Sequence, residues 1–177
     1  MYGISRRGLM KSGVAAGVLS LTGMPLRAAA HRGGKFTAGL GGANTSDSWD
    51  SRTHSDLFMI ASAHGSVFDC LTEVSADGSL KGELAESWEA SADAKTWTFN
   101  LRSGVTFHNG KGFGADDVIE SLQMHLGEDS KSAAKPIVEA ITEMKKMSDT
   151  QVQFTLASGN ADFPYLMSDY HICMYPA

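Results

Sequence analysis

The stretch LRSGVTFHNGKGFGADDVIESL, from Leu101 to Leu122, contains the signals of a strand end, a turn and a helix in that order. Asn109-Gly110 is a dipeptide typical of tight turns, and it predicts that the chain reverses there. A helix is then expected from Ala115 to Leu126, because apolar residues recur every four positions and make one stripe. The residues of that stripe are Val118, Leu122 and Leu126.

The same stretch holds His108, Asp116 and Asp117, a combination that invites a metal or acid–base hypothesis. A metal site needs several converging ligands, and the six histidines show no H-x-x-H or H-E-x-x-H spacing. Carboxylates in the first turn of a helix favour the positive end of its dipole by roughly 0.3–1 kcal/mol. We therefore interpret His108 as part of the turn and both aspartates as helix-start residues, with no metal site.

Apolar alternation identifies strands on both sides of this stretch. Residues 96–101 place Trp97, Phe99 and Leu101 on one face, and residues 151–156 do the same with Val152, Phe154 and Leu156. Ile141 to Met147 is either the first strand of a hairpin with residues 151–156 or the end of a helix that starts at Pro136. Strands and helices that alternate in this way predict a mixed α/β fold.

Further elements are predicted from weaker patterns. Lys35 to Leu40 alternates and is expected to form a first strand, followed by a Gly/Asn/Ser loop at residues 41–53. Polar loops of that length are more often functional than idle. The remaining expectations are a helix over 56–69 interrupted near Gly65, a hairpin of 71–74 with 80–81, a short apolar-faced segment at 84–88, and a short helix over 161–167.

The chain has 177 residues, 42% of them apolar and 20% charged, with a net charge of -5. These values are ordinary for a globular protein of one domain, or of one domain and a piece of a second. No run of Lys and Arg appears in the body of the chain, which argues against nucleic acid as a partner.

Residues 1–30 have the three regions of an export signal: a basic start, an apolar run and a small-residue end. Arg6 and Arg7 lie in a sequence that resembles the twin-arginine signal, and Ala28 to Ala30 resembles a cleavage site. An ordinary secretory signal with two adjacent arginines is the alternative. The twin-arginine interpretation predicts recognition by that export machinery and cleavage after Ala30. The product, residues 31–177, is then expected to be soluble in the periplasm of a bacterium.

Cys70 and Cys173 are the only cysteines. In an oxidising compartment they could pair, but a disulfide requires Cα atoms within roughly 7 Å and the sequence does not test that distance. We favour two separate buried thiols. Neither cysteine belongs to a C-x-x-C or another metal-ligand spacing.

Several spaced blocks together resemble one family, the family 5 extracellular solute-binding proteins of ABC transporters, which is the peptide and nickel-binding group. The blocks are Leu84-Ala85-Glu86-Ser87-Trp88, residues 97–105, Phe107-His108-Asn109-Gly110, and residues 115–122. Asp162 to Leu166 followed by Tyr170-His171 resembles the next block of the same family. Gly114 departs from the pattern, because the family often has Thr or Ser there.

The resemblance implies a type II periplasmic-binding-protein-like fold with two lobes that close on a ligand. Members of the family are much longer, so residues 31–177 are expected to be the N-terminal part of the family 5 domain, an incomplete, first-lobe portion. The implied function is capture of a peptide or similar small solute and its delivery to a membrane ABC permease. The alternative is a secreted interaction or sensory module that is built on the same lobe and does not take part in transport.

No enzyme is predicted, because the nucleophile motif G-x-S-x-G is absent and the glycines at 39–42 lack a phosphate-binding pattern. No cofactor is expected either. In the resembled family, loops at the ends of early strands face the cleft between the lobes. Trp49, Thr53, Tyr170 and His171 are therefore the candidate ligand-binding residues.

Overall fold

A computed structural model describes residues 33–64 and 66–177. Residues 39–177 form one compact unit. Residues 33–38 belong to a separate N-terminal unit, and they are exposed and without regular structure. The predicted export residues Arg6, Arg7, Ala28 and Ala30 lie outside the described residues, so the signal remains a prediction.

The elements of the compact unit follow in chain order. They are a single 3-10 turn at Ser51–Thr53, α1 (Leu57–Ala63), β1 (Thr72–Val74), β2 (Leu80–Gly82), β3 (Ala85–Ala90), β4 (Thr96–Leu101), α2 (Ala115–Gln123), α3 (Lys135–Glu139), β5 (Ile141–Ser148), β6 (Gln151–Leu156) and α4 (Phe163–Leu166). No helix among these described residues combines the length and the apolar character that crossing a membrane requires.

The first strand predicted over Lys35 to Leu40 is wrong, because these residues form no strand. Phe36 is 90% exposed and Leu40 is 37% exposed. Three alternating apolar residues are a weak signal, and a strand persists only where a neighbouring strand accepts and donates its backbone hydrogen bonds.

The main sheet is antiparallel, with the strand order β3-β4-β6-β5. The two central strands, β4 and β6, alternate buried and half-buried residues, as the sequence predicted. Phe99, Phe154 and Phe163 meet on the buried face with ring centroids 5.7 to 6.2 Å apart in edge-to-face arrangements. We call these three side chains the aromatic core.

The hairpin interpretation of Ile141 to Met147 is confirmed. Helical structure in this region is confined to α3, and β5 starts two residues after it ends. Met144 lies opposite Phe154 across the β5–β6 pair. Cross-strand packing and ladder hydrogen bonds therefore override the local helical pattern. The small hairpin of β1 with β2 is confirmed as well, and the segment at 84–88 proves to be the start of the edge strand β3.

Both predicted long helices end early. Helix α1 stops at Ala63, whose carbonyl accepts from the amides of Val67 and Phe68 at 2.9 Å each, so a tight turn replaces the expected continuation. Helix α2 stops at Gln123. The amides of His125 and Leu126 then donate to carbonyls three residues earlier, and these tighter turns change the direction in which the following side chains point. As a result Leu126 is 37% exposed, not part of the buried stripe as predicted, and His125 is buried instead.

The stretch from Leu101 to Leu122 joins the sheet to α2. Gly104 and Gly110 have φ angles of +74° and +85°, a backbone region that favours glycine, and the Gly110 amide donates to the Phe107 carbonyl at 2.8 Å. Gly114 is the N-cap of α2, and a Cβ added there would lie 3.0 Å from the Asp149 carbonyl oxygen. That close approach gives a physical reason for glycine at a position where the resembled family often has Thr or Ser.

The two aspartates of α2 have different environments. Asp116 is exposed and pairs with Lys146 at 2.7 Å. Asp117 is buried, and it accepts from the amides of Gly114 at 2.9 Å and Ala177 at 2.8 Å and from the Lys111 ammonium. Both side chains therefore stabilise the fold. Asp117 is also buried and accepts three hydrogen bonds, which the helix-dipole role predicted from the sequence did not include.

Candidate ligand-binding face

Residues 44–54 form a polar loop that is ordered by its own side chains. The Asn44 amide donates to the Asp47 carboxylate, and the Ser46 amide donates to the Asn44 side-chain oxygen, both at 2.9 Å. Turns of this kind satisfy backbone groups locally, so the loop needs no partner strand. The loop includes the single 3-10 turn; Ser51 and His54 are buried, and its other side chains are exposed or half-buried.

Asp50 and Arg52 make a two-point ion pair at this turn. Arg52 donates from Nε and Nη2 to the two carboxylate oxygens of Asp50, at 2.8 and 2.7 Å. These hydrogen bonds hold the pKa of Asp50 below its usual value, although partial burial acts in the opposite direction. The Nη1 group of Arg52 donates to the Met124 carbonyl at 3.1 Å. The guanidinium therefore ties the loop to the end of α2.

A small recess of about 210 Å³ lies beside this ion pair. Its lining residues are Asp50, Arg52, Thr53, Asp129, Ser130, Lys131 and Ser132. We call residues 44–54 together with residues 129–132 the loop face. Charges of both signs and several hydroxyl groups line the recess, and such a site suits a small solute with separated charges.

Trp49 lies on the same loop, and its side chain is 58% exposed. Its ring centroid is 6.5 Å from that of Phe68, which in turn is 4.9 Å from the ring of Tyr175. The Trp49 backbone is fixed, because its carbonyl accepts from the Tyr175 hydroxyl at 3.0 Å. An exposed ring on a fixed backbone is available for stacking or apolar contact with a ligand.

The loop is anchored from behind by residues near position 171. The Ser51 amide donates to the Tyr175 hydroxyl at 2.8 Å, and the Ser51 hydroxyl donates to the His171 carbonyl at 2.7 Å. One ring nitrogen of His171 lies 2.8 Å from the His54 carbonyl, and the other lies 2.7 Å from the Asp169 carboxylate. Apart from the contact with Asp169, these hydrogen bonds join parts of the chain that are more than a hundred residues apart in sequence.

The four predicted ligand-binding residues occupy two kinds of position. Trp49 and Thr53 lie on the loop face, and Thr53 lines the recess. His171 is 6% exposed with both ring nitrogens engaged by the protein, so it holds the loop in place. Tyr170 is half-buried, and its ring stacks on that of His171 at 4.1 Å. Ligand contact by any of the four remains a prediction.

A second, apolar cavity of about 320 Å³ lies next to the turn at Asn109. Phe68, Leu84, Val105, Phe107 and Phe113 are among its lining residues. His108 borders it, with a ring nitrogen 3.1 Å from the Val67 carbonyl. That hydrogen bond gives His108 a place in the scaffold, in keeping with the prediction for this turn.

Sequence reasoning did not find Asp50, Arg52 or residues 129–132. Asp50 precedes the single 3-10 turn, and Arg52 lies two positions after Asp50. Such an arrangement is common and has no distinctive sequence motif. Whether residues 129–132 lie close to the loop at 44–54 depends on where α2 ends. Only the chain reversal after Gln123 brings that segment beside the loop.

Comparison with known proteins identifies the family. The profile of the bacterial extracellular solute-binding proteins, family 5 Middle, matches residues 79–176, which is more than half of the chain. The chain belongs to this family. The matched residues include the main sheet, the stretch from Leu101 to Leu122 and α2, so the resemblance seen in the sequence is confirmed.

Two curated relatives come from Escherichia coli strain K12. The nickel-binding periplasmic protein is 38% identical over 104 residues, which cover 59% of this chain and 20% of that relative. The dipeptide-binding protein is 37% identical over 102 residues, which cover 45% of this chain and 18% of that relative. The chain therefore spans about a fifth of the length of these relatives.

Solved structures show a similar fold. NikZ from Campylobacter jejuni, in complex with Ni(L-His), has a TM-score of 0.58 and 32% identity over 62% of this chain and 22% of that one. OppA from Haemophilus influenzae has a TM-score of 0.68 and 18% identity over 73% of this chain and 28% of that one, which shows the fold alone. The mixed α/β, first-lobe portion expected from the sequence is confirmed. The family and these relatives are binding proteins rather than enzymes.

Proposed function

We propose that this chain supplies the first lobe of a receptor that captures a peptide or a similar small solute for a membrane ABC permease. The observation that carries the proposal is the recess of the loop face, which is lined by charges of both signs, on the same loop that carries the exposed ring of Trp49. A short peptide has an ammonium group, a carboxylate and side chains that are often apolar, so it matches this combination. The dipeptide-binding name of one family relative supports the same solute class.

The mechanism is capture without chemistry. Lys131 and Asp129, exposed at the recess, attract the carboxylate and the ammonium group of the solute, while Trp49 covers an apolar side chain. The Asp50–Arg52 pair is already formed, so it keeps the shape of the recess without reorganisation when the solute arrives. A second lobe then closes over the solute by a hinge motion, because the solute makes better contacts in the closed state. The closed receptor docks on the permease.

The same proposal includes export. Residues 1–30 are the signal, Arg6 and Arg7 are recognised by the twin-arginine machinery, and removal after Ala30 leaves residues 31–177 in the periplasm. Those residues are the N-terminal part of the family 5 domain. The family description as extracellular supports this location.

Calorimetric titration of the purified chain with pooled di- and tripeptides tests the proposal. We expect heat of binding with the wild type and roughly fivefold weaker binding, about 1 kcal/mol, with Trp49→Ala. Tyr165→Ala is the matched control, because Tyr165 is an aromatic residue that is 45% exposed and lies on α4, outside the loop face. The peptide affinity of this variant should be unchanged. In cells, deletion of the gene should abolish uptake of the bound peptide.

Three results would contradict the proposal. Heat with nickel–histidine, and none with peptides, would overturn the peptide class. No heat with any of these solutes would overturn solute capture by this chain. Unchanged peptide uptake after gene deletion, despite binding in the calorimeter, would favour the interaction or sensory module instead of transport.

A further inference from the structure

Three potential metal ligands converge at a point outside the loop face. A ring nitrogen of His64, the thiol of Cys70 and a carboxylate oxygen of Glu83 all lie within 4.8 Å of one another. His64 follows α1, Cys70 precedes β1, and Glu83 lies between β2 and β3. These positions have no motif spacing, which is why the sequence predicted no metal site here.

Backbone hydrogen bonds fix all three positions independently of any ligand. The His64 amide donates to the Ile60 carbonyl at 3.1 Å and closes the last turn of α1. The Cys70 amide donates to the Glu83 carboxylate at 2.7 Å, and the Leu84 amide donates to the Cys70 carbonyl at 3.1 Å. The three side chains are therefore held together by the fold, which lowers the entropic cost of binding an ion.

The polar groups at this point are incompletely satisfied. His64 Nε2 is inaccessible to solvent and has no hydrogen-bond partner within residues 33–64 and 66–177. Cys70 is completely buried as a free thiol. The Glu83 carboxylate is half-buried and, among the residues that the structure describes, accepts only from the Cys70 amide. A buried imidazole nitrogen without a partner is costly, and a cation bound at this point would provide one.

We propose that His64, Cys70 and Glu83 bind a divalent transition-metal ion of the zinc class, with water in the fourth position. Imidazole, thiolate and carboxylate together favour Zn²⁺ over Mg²⁺ or Ca²⁺, which prefer oxygen ligands alone. Metal–ligand bonds of about 2.0–2.3 Å in a tetrahedron place ligand atoms roughly 3.3–3.8 Å apart. The cluster therefore needs to contract by about 1 Å, which small side-chain rotations provide.

The second cysteine, Cys173, raises the question of whether Cys70 forms a disulfide instead of binding a metal ion. Both cysteines are buried free thiols, as favoured from the sequence. The Cys70 thiol donates to the Asp169 carbonyl at 3.5 Å, and the Cys173 thiol donates to the Tyr170 carbonyl at 3.3 Å. The Met174 amide also donates to the Asp69 carbonyl at 3.0 Å, so the two backbone segments run side by side. In the proposed site Cys173 remains outside the ligand set, and its thiol keeps its hydrogen bond to the Tyr170 carbonyl.

Zn²⁺ titration of the reduced, metal-free protein against a chromophoric chelator tests the proposal. We expect one equivalent of tightly bound Zn²⁺ and a rise in Tm on its addition. Co²⁺ in its place should give a thiolate-to-metal charge-transfer band. Glu83→Gln should weaken Zn²⁺ binding roughly 10- to 100-fold, and Cys70→Ser should do so by about 100-fold or more.

Cys173→Ser is the matched control, and it should keep its Zn²⁺ affinity within roughly threefold and retain the Co²⁺ band. Stoichiometry well below one equivalent, or equal affinity in the wild type and Glu83→Gln, would overturn the site. Loss of Zn²⁺ binding in Cys173→Ser would show that binding requires both cysteines, and it would overturn the proposed ligand set. If Cys70→Ser does not fold, Glu83→Gln decides. Peptide titration is a separate readout, so failure here leaves the proposed solute capture unaffected.

Discussion

The aromatic core and the loop face are stabilised by different forces. Phe99, Phe154 and Phe163 are at most 1% exposed, and they contact one another edge to face between the sheet and α4. Residues of the loop face bury little apolar surface, and they are held by hydrogen bonds that reach backbone groups far away in sequence.

This difference separates the part that keeps the fold from the part that is available for binding. Apolar burial is roughly proportional to area and insensitive to direction, so the core is robust until a large group is removed. Hydrogen bonds depend on geometry and individually contribute about 1 kcal/mol, so the loop face can open locally while the sheet stays folded. Ligand-binding loops are commonly drawn from such less stable parts.

The largest expected effect is in the core. Phe99→Ala removes a ring that contacts both other core rings, and it should lower the free energy of unfolding by about 3–5 kcal/mol. Urea unfolding followed by circular dichroism measures this change. Phe36→Ala is the control, because Phe36 is 90% exposed and its replacement should change stability by less than about 0.5 kcal/mol. A loss below about 1 kcal/mol for Phe99→Ala would contradict the assignment of the core.

A pH dependence is expected at His125, which contacts Ser132 of the loop face, and not in the aromatic core. His125 is 1% exposed, one of its ring nitrogens lies 2.6 Å from the Ser132 hydroxyl, and burial lowers its pKa to about 4. Arg52 and His171 act in the same direction, and the nearby acids Asp50 and Asp169 oppose it. Between pH 6.5 and about pH 4 the unfolded state binds the proton, so stability is complete above pH 6.5 and falls as the pH decreases.

The measurement compares wild type with His125→Gln at pH 7, 5 and 4 by urea unfolding. The wild type should lose roughly 2–4 kcal/mol more than the variant over this range. Glu83, with its raised pKa, changes stability in the opposite sense, but it contributes equally to both proteins and cancels in the difference. Parallel pH profiles of the two proteins would show that His125 does not stay neutral in the fold.

The smallest effect is expected at the anchor of the loop. Tyr175→Phe removes the hydroxyl that accepts from the Ser51 amide and donates to the Trp49 carbonyl. Hydrogen exchange at the Ser51 amide should accelerate roughly 5- to 10-fold, equivalent to about 1 kcal/mol, while exchange at Phe99 should not change. Tyr165→Phe, whose ring is 45% exposed on α4, is the control. Faster exchange at both amides would show that the two regions are not independent.

The sequence by itself determined the central strands, the α2 start and the family. Alternation at Trp97, Phe99 and Leu101 depends only on which face of a strand each residue takes, and that relation is local. The spaced blocks from Leu84 to Leu122 identified the family for the same reason, because each block records a turn, cap or core position of one conserved lobe.

Only the tertiary structure determined that no strand forms at Lys35 to Leu40, that α2 ends early, and which residues make up the loop face. A strand needs a partner, and a helix end depends on what the next residues contact, so neither follows from periodicity. The contacts of Ser51 with Tyr175 and the convergence of His64 with Cys70 and Glu83 join distant segments. Side-chain pairs of this kind carry no signal along the chain, because their spacing is fixed only by the path of the folded backbone.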